Sequence, residues 1–185
     1  MVEDLLKDAE KRMQQAVEHA SHDFQTFRTG RANPMMLERI TVDYFGTPTH
    51  LNQLANISVP EPRQILITPW DKSAYPLIEK AIQKSDLGIN PMSDSAGIRL
   101  NIPPLTEDRR KEMIKQLHKR GEEAHVAIRN VRRDINDHLK AEEKAKKISE
   151  DDRKRAEEKV QKVTDKYIEQ ATQLQKKKEE ELLEV

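Results

Sequence analysis

The sequence predicts an α+β protein, a long three-helix bundle with a small β/α domain inserted into it. Charged residues make up 36% of the 185 and aromatics only 4%, the composition of long helices with wet faces rather than of a bulky core. Apolar residues recur every three or four positions toward both ends of the chain, which is the helical period. Between them, residues 31–105 hold all nine prolines and the only tryptophan, with short runs that alternate like strands.

Leu6, Ala9, Met13, Ala16, Ala20, Phe24 and Phe27 form the first stripe, a helix of roughly 25 residues expected to stop near Thr29-Gly30, where glycine is a natural cap. Residues 40–44 alternate as a strand. Residues 45–49 read as a turn, with a second run near His50-Leu51. Residues 57–59 and 64–68 read as strands stopped by Pro60 and Pro69. Residues 75–84 read as a short helix capped by Ser73, residues 87–97 as a loop, and residues 98–102 as a last strand ended by Pro103-Pro104.

Thr106 is expected to cap a second long helix, with Glu107 and Asp108 in its first turn, where the helix dipole favours acids. Its pattern runs to about Lys147, a rod of about 60 Å. Ser149 caps a third, with Ala156, Val160, Val163, Tyr167, Ala171 and Leu174 on one side. Rods of this length hold together only by burying their stripes on one another. The first helix must therefore rejoin the other two across the insertion. That gives a bundle domain of residues 1–29 and 106–185 and an inserted domain of residues 30–105. Two connections join them as a hinge: Thr29, Gly30, Arg31 and Ala32 on one side, Ile102, Pro103, Pro104 and Leu105 on the other.

Formal net charge is zero, so any affinity for a polyanion must come from a local patch. Residues 106–147 carry thirteen basic against nine acidic groups, while 1–29 and 148–185 each carry two more acids than bases. Within the basic rod, Ala124, Ile128, Val131, Ile135 and Leu139 mark the buried stripe. Arg129, Arg132 and Arg133 lie at i, i+3 and i+4 on its flank, with Arg132 nearest the buried side. Forked, permanently charged guanidinium groups suit phosphate, so this triplet is the candidate contact with a nucleic-acid backbone. The competing reading is a solvated face screened by Asp134 and Asp137.

Other chemistry is scarce. No cysteine exists, which excludes thiol catalysis and cysteine-ligated metal and fits a reducing compartment. No GxxxxGK[ST] or GxGxxG loop is present to hold a nucleotide phosphate. His19 and His22 read as surface residues, and His118 and His125 as packing or surface groups. Tyr44 and Phe45 read as hairpin or core packing, with base stacking as the alternative. Trp70 reads as part of the small core. The acidic N-terminus is unlike a signal peptide and no run of about 18 apolar residues occurs, so a soluble, cytoplasmic protein with no cofactor and no catalytic site is expected.

The segments TGRANP (29–34), YFGTPT (44–49), SDLGINP (85–91), IPPLTEDRRKE (102–112), VAIRNVRRDIND (126–137) and KISEDD (147–152) occur in this order. Together they resemble the bacterial ribosome recycling factor family across essentially the whole chain. The resemblance implies an L-shaped monomer of roughly tRNA dimensions. It implies binding to the large (50S) ribosomal subunit and its 23S rRNA after termination, and splitting of the complex with elongation factor G and GTP. It assigns rRNA contact to the positions of Arg129 and Arg132, while Arg28, Arg31 and Arg133 match further basic positions near the same end or hinge. A coiled-coil scaffold or chaperone with an inserted domain is the alternative. It accounts for the rods but not for arginines gathered on one flank.

Overall fold

The computed structural model describes residues 1–184, which form two compact units: residues 1–27 with 111–184, and residues 28–110.

The first unit is helical. It comprises α1 (Val2–Gln25), most of α3 (Glu107–Lys144) and α4 (Glu150–Leu183). Ala9, Met13 and Val17 of α1 meet Ile128, Val131, Ile135 and Leu139 of α3 and Ala156, Val160, Tyr167 and Ala171 of α4 in one buried cluster. The stripe expected on α3 is buried at every position. On α4 Thr164 is buried and Val163 only half-buried. The threonine hydroxyl donates to the Val160 carbonyl at 2.7 Å, so one turn of its own helix satisfies it. Charge pairs bridge the seams: Arg12 to Asp134 and Arg120 to Asp23 join α1 to α3, and Arg153 to Glu143 joins α4 to α3.

Helix α1 ends at Gln25, before Thr29-Gly30, with Thr26 at its C-cap and the Thr26 hydroxyl donating to the Asp23 carbonyl. Gly30 instead sits in the connection with φ +77°, and a Cβ there would come within 3.4 Å of the Leu105 nitrogen. Both side-chain caps expected on the long helices form. Thr106 Oγ1 accepts from the Arg109 amide and Ser149 Oγ from the Asp152 amide. Helix α3 closes with Lys146 in the left-handed region, φ +58°. The Lys146 amide bonds the Glu143 carbonyl and the Lys147 amide bonds that of Glu142, the Schellman pattern.

The second unit contains the hairpin β1 (Thr41–Tyr44) and β2 (Thr47–His50). It also holds β3 (Ala55–Glu61), β4 (Gln64–Pro69), α2 (Ala74–Lys84), β5 (Met92–Asp94) and β6 (Gly97–Asn101). The four later strands form an antiparallel sheet in the order β3-β4-β6-β5. Ile65 and Ile67 of β4, Ile98 and Leu100 of β6, and Ala74, Ile78 and Ile82 of α2 fill its core with Val42 and Leu51.

Several expectations are corrected here. The hairpin turn is only Phe45-Gly46, both at positive φ (49° and 87°), so Pro48 lies inside β2, tolerated in a two-stranded ribbon. β3 runs through Pro60 to Glu61, with an irregular register beyond Ser58. β5 forms inside the expected loop, paired with β6. Ser73 stands at the N-cap position of α2, but its side chain makes no capping hydrogen bond. Asp71 accepts the Ser73 amide at 3.0 Å instead. Trp70 is 68% exposed, not core. Ile65, Ile67 and Pro69 take the buried parity of β4, so the next residue falls on the wet side. Phe45 is 73% exposed at its turn, its ring edge-on to Tyr44 at 4.8 Å.

Candidate nucleic-acid interface

Helical spacing brings Arg129, Arg132 and Arg133 together on α3, beside a stripe buried down to Ile128, Val131 and Ile135. Their surroundings differ. Arg129 Nη1 donates to Glu122 Oε1 at 3.2 Å, two turns back on the same helix. Arg132 is half-buried and reaches across to α4, where its Nη1 donates to Gln161 Oε1 at 3.2 Å. The Gln161 amide nitrogen donates to Asp165 at 2.8 Å, which orients its oxygen toward the arginine. Arg133 is exposed and, among the described residues, makes no hydrogen bond or ion pair.

The acids on the same helix are unevenly engaged. Asp134 is held by Arg12 of α1 at 2.6 Å, and that hydrogen bond keeps its carboxyl below the usual carboxylate range. Its charge therefore answers α1 rather than the triplet. Asp137 is exposed. The face can thus offer three forked cations: one free, one on a neutral amide, one on a carboxylate.

Arg28 and Arg31 belong to the second unit. The Arg28 guanidinium donates to the carbonyls of Asp86 and Leu87 at 3.2 and 3.4 Å, which ties the first connection to the loop after α2. Arg31 is exposed, and its amide donates to Thr29 Oγ1. Of the connecting residues, the Ala32 amide bonds the Pro62 carbonyl and the Ile102 amide bonds that of Arg63. Both connections are thereby fastened to the β3–β4 turn at their inner ends. Thr29, Gly30 and Arg31 on one side and Pro103, Pro104 and Leu105 on the other lie outside those fastenings.

Sequence reasoning missed Glu122 and Gln161, while His125, read as a packing or surface group, packs against α4. Glu122 had a signal, since seven residues is two helical turns, so it lies on the row of Arg129. Gln161 had none, because its pairing with Arg132 depends on how α3 and α4 are registered. His19 and His22 are both exposed or at the surface of α1, and among the described residues no group of three or more metal-binding side chains exists. No described helix is long and apolar enough to cross a membrane.

A long helical unit with three arginines gathered on one helix, joined twice to a small β/α unit, is the architecture of a class of translation factors. The profile of the family described as ribosome recycling factor matches residues 20–183. The ribosome-recycling factor of Syntrophomonas wolfei is 56% identical over 185 residues, the whole of both chains, and that of Brevibacillus brevis is likewise 56% identical over the whole of both. A solution structure of a ribosome recycling factor aligns with a TM-score of 0.78 and 46% identity, covering 100% of this chain and 98% of that one. A second aligned structure, at a TM-score of 0.69, 43% identity and full coverage of both chains, is a T. thermophilus ribosome recycling factor. It is described with E. coli elongation factor G bound to the E. coli post-termination complex. The chain belongs to the ribosome recycling factor family.

Proposed function

We propose that this chain recycles ribosomes: with elongation factor G and GTP it splits the post-termination complex into subunits by binding the large subunit and its 23S rRNA. Full-length identity of 56% to recycling factors supports this most directly. The helical unit binds rRNA phosphates through Arg129, Arg132 and Arg133, with Arg28 and Arg31 as further basic contacts. Asp134 supports that reading against a screened face, because Arg12 already holds it. The connections at Thr29, Gly30, Arg31, Ala32, Ile102, Pro103, Pro104 and Leu105 act as the hinge on which the small unit moves when elongation factor G pushes. Given the fastenings at Ala32 and Ile102, bending concentrates at 29–31 and 103–105. The protein acts as a monomer in the cytoplasm and has no active site of its own. GTP hydrolysis belongs to its partner.

The test is a subunit-splitting assay on post-termination complexes with elongation factor G and GTP. The protein is expected to accelerate splitting and to co-sediment with large subunits in a salt-sensitive way. No acceleration, with salt-insensitive binding to proteins instead, would favour the scaffold reading.

A further inference from the structure

Arg129 alone of the three arginines carries a charged partner among the described residues. Glu122 Oε1 accepts its Nη1 at 3.2 Å, while the other carboxylate oxygen stands 3.7 Å from His125 Nδ1. His125 is itself set against α4, its Nε2 3.0 Å from Thr172 Oγ1. Arg129 is thus the one group that holds this exposed carboxylate among the described residues. Arg132 rests on a neutral amide and Arg133 on nothing among the described residues.

We propose that Glu122 is an intramolecular stand-in for phosphate, a competitor that must leave Arg129 before RNA can take its place and that thereby tunes the grip of the arm. This rests on the rRNA-binding reading of the arginine face. Carboxylate and phosphate both present paired oxygens to the guanidinium fork, so they compete for the same donors. The Glu122 side chain is 63% exposed, and an ion pair so well hydrated is weak and readily exchanged. It positions the arginine without trapping it. Neutralising the carboxylate also removes a negative charge from beside the incoming phosphate. Both effects tighten binding when the charge goes. A factor that leaves the ribosome after every round works better with an exchangeable grip than with a permanent one.

The test is Glu122→Gln, which keeps an oxygen acceptor of the same shape and deletes only the charge. Binding to purified large ribosomal subunits is measured over a range of salt, with Arg129→Ala and the double variant alongside. Helix content by circular dichroism checks that each variant folds. The single variant is expected to lower Kd by roughly two- to fivefold and to steepen the salt dependence. Most of the gain is expected to disappear in the Arg129→Ala background, leaving only the smaller part owed to the removed negative charge. An equal gain in that background would mean a general charge effect and overturn the inference. So would unchanged or weaker binding of Glu122→Gln while Arg129→Ala weakens binding. If Arg129→Ala alone changes nothing, the assignment of Arg129 to rRNA fails, and the inference falls with it for that separate reason.

Discussion

Arg132 presents its charge from a half-buried stem fixed on Gln161, so its loss removes a positioned cation rather than a waving one. Arg132→Ala is expected to weaken large-subunit binding by roughly tenfold and to lower the log–log salt slope by about 0.7–0.9. Sedimentation with purified subunits at several salt concentrations checks both. Phe45 raises a different question, of backbone strain. It stands at φ 49° in a two-residue turn whose geometry favours Asn-Gly over a bulky ring. Phe45→Asn is expected to stabilise the small unit by about 0.5–1 kcal/mol, read from the denaturant midpoint. At this scale the sequence was a good guide to the buried stripe of α3 and to Phe45 as a hairpin residue packed edge-on against Tyr44, and a poor one to Trp70. Aromatic size suggests burial, but strand parity and turn geometry decide which way a ring faces.

Helix ends and helix pairs carry the next level. Lys146 adopts the left-handed conformation that glycine takes without penalty. Lys146→Gly keeps both closing hydrogen bonds and relieves that penalty, so a gain of about 0.5–1 kcal/mol in unfolding free energy is expected. The Arg12–Asp134 pair between α1 and α3 gives a pH signature. Its native carboxyl titrates below the ordinary value. The favourable contribution is thus complete above the unfolded-state pKa of about 3.9 and drains away as pH falls through the lowered native value. Asp134→Asn is expected to remove that part of the acid limb, which a stability profile from pH 7 downward would reveal. The caps at Thr106 and Ser149 were legible because capping is a local code. The early stop of α1, the strand β5 and the Asp71 carboxylate that takes the Ser73 amide were not. Each depends on a partner distant in sequence or on a side chain turning back on its own backbone.

The division into two units follows from where periodicity changes, and the sequence carries that change plainly: 3.6-residue stripes outside, strands and all nine prolines within. What it could not convey is how the connections are held, because the bonds from Ala32 and Ile102 to the β3–β4 turn exist only once the sheet has formed. If the proposed hinge transmits force, its stiffness matters more than its length. Replacing Pro103 and Pro104 together by glycine is expected to slow subunit splitting severalfold. Arm-mediated binding to the large subunit should remain near its normal level, since the arginine face is untouched. Paired splitting and sedimentation assays separate the two effects.

The outward-facing Trp70 has a practical corollary for optical work. It is the sole indole in the chain, already bathed in solvent in the native state, so its emission changes little when the polypeptide denatures. Fluorescence melts will therefore carry little amplitude, and far-ultraviolet dichroism is the better record of unfolding. By the same token the indole is an unlabelled sensor for whatever covers that side of the small unit. A blue shift or loss of acrylamide quenching on mixing with a tryptophan-free candidate would report contact without any dye.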